Sequence, residues 1–559
     1  MPGLLRTAWL SLLVCAAFAQ SQPLVSILSE ELERNFQLLK QKGDPAPYYI
    51  GYEVTDQEGW MVAATLGALK ANTGDHNRVL DVTVRVGSPK LDNYHRIPGE
   101  RSRFTSRLAL PIEDSRAAIQ RRIWLETDRV YRLAAETLIK IRTNRQVKVA
   151  EEDTSDDFSK EEPAVYSEPG GKLNFPAQEW AARVRKWSAE FAKHRSILTS
   201  QVTLLAQRET RTLVNTEGTR LQHGRGLAEI QITARTKAAD GMDLAVSESL
   251  EAGDLSGLPK DEVVLAAIER VSKDVTALPR APMVEPFVGP AILSGRAAAV
   301  LFHEIFGHRI EGHRQKDESE GQTFTKSVGT RILPEFLSVT FDPTRRKFGP
   351  VDLNGWYQFD DEGIKAQPVR VVEKGVLKTF LMSRSPVRGF DHSNGHGRRQ
   401  PGFEVVSRQS NLLVESTEQV SEARLREMLL EEIRRQKKPY GLYFRQVTGG
   451  FTSTARQGLQ AFKVIPVIVY RVYADGRPDE LVRGADIVGT PLTSLAKILA
   501  TSDRPEVFNG YCGAESGSVP VSAISPALLV SEIEIQKKEK SQDRPPLLPM
   551  PVSNGGLAQ

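Results

Sequence analysis

Apolar residues recur along this chain with two different periods, which predicts a mixture of helices and strands. From Ser26 to Lys42, Ile27, Leu28, Leu32, Phe36 and Leu39 keep the i, i+3, i+4 spacing of an amphipathic helix. The period then falls to two. Tyr48 to Val54 reads as a strand, and Leu80, Val82, Val84 and Val86 alternate on one face of a second, Arg78 to Val86. A long helix is predicted over Glu113 to Ile141 and others over Trp180 to His194 and Leu258 to Thr276. Between them lie strands at Gln201 to Leu205, Thr210 to Asn215 and Thr219 to His223, the last two joined by a Glu217-Gly218 turn. Glu151 to Gly171 is acidic and holds Pro and Gly, and is expected to be an exposed insertion.

Pro279, Pro282, Pro286 and Pro290 punctuate a linker, so a domain boundary is expected near residue 285. Ser294 is a candidate N-cap for a very apolar helix. Beyond it strand-like runs dominate: Val369 to Val372, Val376 to Met382, Leu442 to Gln446 and Val464 to Tyr473. Val372 to Val376 has the form of a hairpin, and Ser421 to Gln436 and Thr493 to Thr501 are predicted helices. Residues 537–559 are charged, then Pro-rich, and are expected to be disordered. The class is α+β in two domains, 20–285 and 286–536, the second strand-rich and carrying the apolar helix.

Composition narrows the function. At 559 residues with 40% hydrophobic content the chain can build large cores. Its 74 basic and 70 acidic residues leave a net charge of +4, which argues against a nucleic-acid binder with a broad basic surface. The runs Arg434 to Lys438 and Gln536 to Lys540 are expected to be solvated faces. Met1 to Arg6 is a short positive region, Thr7 to Phe18 is apolar, and Ala17-Phe18-Ala19 suits signal cleavage. The chain is therefore expected to lose residues 1–19 on export, to a periplasmic or extracellular location, with no stable membrane span. Of its two cysteines, Cys15 lies in that segment, which leaves Cys512 as the solitary thiol of the exported protein. A lone cysteine in an oxidising compartment needs a reason, either metal ligation or burial. Its setting, Phe508 to Gly513, reads as a Gly-bearing loop.

The strongest chemical signal is His303-Glu304-Ile305-Phe306-Gly307-His308 within the apolar run Ala297 to Arg314. Imidazole binds zinc well, and a Glu beside such a ligand can take a proton from an activated water. Histidines at i and i+4 would lie only about 40° apart around a helix, but at i and i+5 the angle is about 140°. One metal can still reach both if the helix holds a π-type extra residue, with Gly307 the place for it. The plainer alternative is two core histidines, with Glu304 paired to an arginine.

HEIFGHRIEGH together with GYCGAESGSVPVSAISPALLVSEIEI (Gly510 to Ile535) resembles the TldD/PmbA family of metallopeptidases. Further matches are Asp360 to Gly363, Gly441 to Tyr443 leading to Gly449-Gly450, Arg483 to Gly489 and, more loosely, Val214 to Gly218. The resemblance spans roughly residues 208 to 535 and implies a zinc site of His303, His308 and Cys512, with Glu304 as general base. It also implies a peptide or unfolded-protein substrate and a dimer, either of like chains or with a related subunit. Because this chain keeps the HExxxH helix, it resembles the active kind of subunit. Two features depart from the family: the export segment, and His313, where an acidic residue is expected. His313 leaves open a ligand swap or a supporting role behind the ligands.

Three protein ligands would leave one tetrahedral position for water, as in a catalytic zinc site, and a thiolate favours zinc over magnesium or calcium. Arg398, Arg399 and Arg408 are candidate donors to a developing oxyanion, although Ser393 to Gly397 before them reads as a flexible surface loop. His392 and His396 sit at i, i+4, but the intervening Asn394 and Gly395 argue against a helix, and they are left out of the metal site. Gly449 to Gly458 is a candidate for holding an extended peptide by strand addition. The alternatives are a zinc hydrolase of non-peptide substrates, and an exported assembly or binding module whose metal is structural.

Overall fold

The computed structural model describes residues 24–97, 106–147, 153–457, 461–490, 494–539, 544–546 and 548. The expected signal segment with Cys15, Gly458 and most of the expected tail lie outside the described residues. Two large sheets organise the chain, an eight-stranded one drawn from residues 47–252 and a twelve-stranded one from residues 287–537. With seven α-helices among the described residues against them, the class is α+β, as the two periodicities imply.

The N-terminal sheet is built on long antiparallel strands, Pro47–Thr65, Ala68–Ser88, Thr199–Asn215 and Arg220–Lys237. Each is longer than its apolar alternation suggests: Gln201 to Leu205 and Thr210 to Asn215 belong to one strand, in register with Pro47–Thr65 from Gly51↔Asn215 to Ala64↔Val202. Helices Leu24–Lys42 and Arg116–Val147 cover a core of Ile50, Tyr52, Val54, Leu80, Val82 and Val84 near one end. Helices Ala177–Ala189 and Asp261–Ala277 cover a second core around Val202, Leu204, Ile230 and Ile232. Residues 160–171 are exposed or half-buried, as their acidity suggests, but residues 157–159 just before them are not. Asp157, Phe158 and Ser159 are buried, with Asp157 bonded to His95 and the Phe158 ring between the guanidiniums of Arg85 and Arg384.

The C-terminal sheet closes part of itself into a ring. Strands Gly517–Lys537, Ala485–Gly489, Phe462–Val472, Gly441–Thr452 and Phe287–Leu293 pair in that order, and the last returns to pair with the first. Val372 and Glu373 pair with Leu377 and Val376, the expected hairpin, with Lys374 and Gly375 at positive φ in its turn. Helix Glu422–Arg435 begins at Ser421 as expected. The helix predicted over Thr493 to Thr501 is not formed as such: residues 498–501 open the strand Ile498–Ala514, where Ile498 pairs with Val530 and Thr501 with Leu528. The long antiparallel pairing with Gly517–Lys537 outweighs the local helical composition. No helix among the described residues is long and apolar enough to cross a membrane.

Buried ion pairs join the two sheets' halves. Arg384 forks onto both oxygens of Glu217 and onto the Ser159 carbonyl, Arg399 donates to Glu53 at 2.6 Å, and Arg211 pairs with Asp361. The stretch read as a flexible surface loop is part of this joint. His396 and Arg398 are buried, and Gly397 and Arg398 pair with Ser407 and Val406.

Candidate metal centre

Strand Phe287–Leu293 leads through Ser294 into helix Gly295–Ile305, and the Ser294 hydroxyl accepts the N–H of Ala297 at 3.2 Å. Ala297 to Phe302 are all buried, as expected of a helix apolar on every side. The i, i+5 spacing is resolved differently from the expected π-bulge. The α-helix stops at Ile305, and residues Gly307–Ile310 form a separate 3₁₀ turn that swings His308 back toward His303. Arg309 holds this break: its guanidinium donates to the carbonyl of Glu304 at 3.0 Å and also reaches that of Ile305, the orphan acceptors of a helix end. Gly307 serves close approach, not a bulge, since a Cβ there would sit 1.9 Å from Gln409 Oε1.

The result brings together all three expected ligands. His303, His308 and Cys512 each offer a donor atom, and these atoms lie within 4.8 Å of one another. Cys512 Sγ is 3.3 Å from His308 Nε2, and the two imidazole rings stand edge to face with centroids 5.0 Å apart. A tetrahedral zinc sets its donors roughly 3.3–3.6 Å apart, so this donor set needs little closing to fit that ion. Cys512 is not on a loop as expected. It lies in strand Ile498–Ala514 opposite Val519, and its flanking residues are fixed by the register Tyr511↔Pro520 and Gly513↔Ser518.

Electrostatics favour the metal-binding form of the sulfur. Burial raises the Cys512 thiol, but the facing His308, His303 and Arg408 draw it well below its ordinary value. Burial opposes an imidazolium at His308, yet Cys512 and Glu311 beside it push that group up to about 10. Glu304 lies on the same helix face, buried, and desolvation raises its carboxyl above the usual range although the two imidazoles pull it down. Its Oε2 is buried with no hydrogen-bond partner. The carboxylate has room because Gly450 passes alongside: a Cβ there would meet Glu304 Cγ at 2.7 Å. These groups open into a cavity of about 420 Å³, walled on the far side by residues 450–455.

A set of charges behind the ligands was not read from sequence. Glu311 is fully buried and takes His308 Nδ1 at 3.3 Å, which turns Nε2 toward Cys512. Arg314 donates to Glu311 at 2.9 Å and to Glu515 at 2.8 Å, and burial notwithstanding, His308 and Arg314 hold the Glu311 carboxyl down to about 2. Arg408 donates to the Cys512 carbonyl, to Ser516 and to the carbonyl of Gly517, and sits 3.5 Å from Glu311. Of the three arginines considered for an oxyanion, Arg398 is bound to the Gln409 carbonyl and Arg399 to Glu53, and Arg408 faces the backbone of the cysteine strand. His313 is outside this cluster, bonded through Nε2 to Glu515. His392 is exposed and His396 bonds to Ser410 at 3.1 Å. His308, Glu311 and Arg314 lie three residues apart and could have hinted at this support, whereas Arg408 lies 97 residues from Glu311 and Glu515 lies 201 from Arg314, beyond any local window.

Comparison with known proteins places the chain beside metalloproteases and their fold relatives. Residues 288–537 match the PmbA/TldA metallopeptidase C-terminal domain. A metalloprotease of Archaeoglobus fulgidus is 30% identical over 270 residues, 48% of this chain and 57% of that protein. A zinc metalloprotease TldD homologue of Saccharolobus solfataricus is 26% identical over 250 residues, 44% of this chain and 51% of that protein. The chain thus spans about half the length of the curated relatives it matches. Among solved structures, TldE of Thermococcus kodakarensis superposes with a TM-score of 0.59 at 14% identity, covering 91% of this chain and all of that one, which establishes a shared fold. The chain therefore shares the fold of TldE, and its residues 288–537 are similar to the PmbA/TldA metallopeptidase C-terminal domain.

Proposed function

We propose that the protein is a zinc-dependent peptidase with His303, His308 and Cys512 as metal ligands and Glu304 as its general base. The observation that carries this reading is the juxtaposition of two imidazoles and an acidified thiol within 4.8 Å, beside a buried carboxylate oxygen with no partner. Zinc, when bound, would supply Lewis acidity toward the scissile carbonyl and make a water acidic near neutral pH. Glu304 Oε2 takes the proton of the attacking water and delivers it to the departing amine. The raised carboxyl of Glu304 suits both halves of that transfer. Glu311 keeps His308 turned toward the cavity, and Arg309 keeps the helix end where His303 and Glu304 face it.

The substrate in this reading is an unfolded or extended peptide. Gly449 to Thr452 pair with Ile465 to Phe462 on one side, and no strand pairs with them on the other among the described residues. That free edge borders the cavity next to Glu304 and suits addition of a substrate strand. The likeness to TldE supports a dimer, most naturally with a related subunit. The reading retains two domains, 20–285 and 286–536, and export through the apolar N-terminal segment.

The test is hydrolysis of an unfolded polypeptide by the zinc-loaded protein beside Glu304→Gln of equal metal content. The expected result is turnover in the parent and a loss of about 10²–10⁴-fold in kcat in the variant. Equal turnover would remove Glu304 from the mechanism. An ester substrate cleaved while peptides are not would convert the reading to a non-peptide hydrolase.

A further inference from the structure

The metal cavity has a neighbour. Tyr511, next to Cys512 in sequence, walls the cavity at the ligands and also a larger cleft of about 560 Å³. That cleft runs between strand Arg220–Lys237, the turn at 252–257 and the segment 346–356, so it is built from both halves of the chain. Its charges are unequally matched. Every carboxylate on its wall already has partners. Glu168 accepts the N–H of Gly224 at 2.7 Å, and Glu209 holds Arg211 at 2.9 Å and Arg225 at 3.3 Å. Asp254 takes the N–H groups of Ser256 and Gly257, and Asp352 takes Lys347 at 3.1 Å.

Two guanidiniums on the same wall are unanswered. The Arg208 guanidinium has no ion pair or hydrogen bond among the described residues, and its Nε is buried without an acceptor. It cannot simply swing away on that side, because Gly171 packs against it: a Cβ there would lie 2.5 Å from Nε. Arg346, which is exposed to solvent, lies 4.1 Å from the centre of the Trp356 ring, a contact that orients a guanidinium without neutralising it, and has no carboxylate partner among the described residues. A buried donor without an acceptor is unfavourable and calls for a partner, and a planar guanidinium is suited to a carboxylate.

We propose that this cleft is a carboxylate-recognising subsite: a peptide whose scissile bond lies at His303, His308 and Cys512 continues past Tyr511 and sets an acidic group on Arg208 and Arg346. This rests on the peptidase reading above and adds to it a substrate class, peptides that are acidic on one side of the cleaved bond. The carboxylate can be a Glu or Asp side chain or the chain's own C-terminus.

The test uses matched peptides that differ only as Glu against Gln, and as free acid against C-terminal amide. Hydrolysis by the zinc-loaded protein is expected to favour one acidic member about 10-fold or more in kcat/KM, and which pair shows the preference identifies the source of the carboxylate. Arg208→Gln and Arg346→Gln should each reduce that ratio, whereas Lys347→Gln, whose charge Asp352 already meets, should keep it. In parallel, anisotropy measures binding of the same labelled peptides to Glu304→Gln. Preferential binding with no hydrolysis in the parent would retain the subsite and sink the peptidase reading. Hydrolysis with no acidic preference in either pair, or a preference untouched by both arginine variants, would sink the subsite and leave the peptidase reading standing.

Discussion

Two buried polar clusters in this molecule look alike by charge and differ in what they can do. One is the candidate metal centre; the other joins the two halves through Arg211, Arg399, Glu53 and Asp361. In both, burial and close charges displace titration: desolvation raises Glu53 against the pull of Arg399 and Arg211, as it raises Glu304 against two imidazoles. The joining cluster, however, offers only carboxylates and guanidiniums, already consumed by one another: Arg399 Nη2 meets Glu53 at 2.6 Å and its backbone N–H meets Asp361 at 2.6 Å. The metal centre instead has soft donors and an unpartnered carboxylate oxygen facing a cavity. A perturbed titration marks a site only when the group has something left to give.

Four substitutions would break or sharpen that contrast, taken from the largest expected effect. Arg399→Met leaves Glu53 buried with less compensation, and should cost about 3–5 kcal/mol in denaturant-induced unfolding while sparing kcat/KM of the folded protein. A variant that lost activity but not stability would make the joining cluster functional. Glu311→Gln keeps the shape but weakens the hold on His308, and should lower zinc affinity about 10–100-fold in chelator competition. Unchanged affinity would show that Glu311 merely fills space.

Glu251 tests the contrast away from both clusters. Burial, then Glu229, raises it from 4.5 to about 7. A carboxyl raised in the folded state contributes stability in full below its unfolded value and loses it as pH rises through the folded one. Stability should therefore fall by about 1–2 kcal/mol across that window, after allowance for partial exposure, and Glu251→Gln should flatten the fall. Parallel pH profiles for parent and variant would contradict it. The smallest effect is expected for Ser294→Ala, about 1 kcal/mol from the lost cap, read as a lower Tm with zinc stoichiometry kept.

What was legible in the sequence was local. Ser294, the apolar helix and the His-Glu-Gly-His order lie within 15 residues of one another, and the structure puts them at one corner. The lone Cys512 was legible as chemistry but not as geometry, since Gly510 and Gly513 suggest a loop while pairing with Val519 and its neighbours makes a strand. The π-bulge expectation failed because the helix has a cheaper exit: Arg309 satisfies its last carbonyls and a 3₁₀ turn does the rest. Arg398, Arg399 and the buried His396 hid among Gly, Ser and Asn, whose composition signals a loop. Their burial depends on partners such as Glu53, 346 residues away, which no local window contains.

The most direct test of the account is X-ray absorption at the zinc edge of the loaded protein, beside Cys512→Ser. The account predicts one sulfur at about 2.3 Å with nitrogen or oxygen at about 2.0–2.1 Å, including imidazole scattering, and loss of the sulfur shell or of the metal in the variant. A parent spectrum without sulfur, or one left unchanged by the substitution, would contradict Cys512 as a ligand and with it the proposed centre.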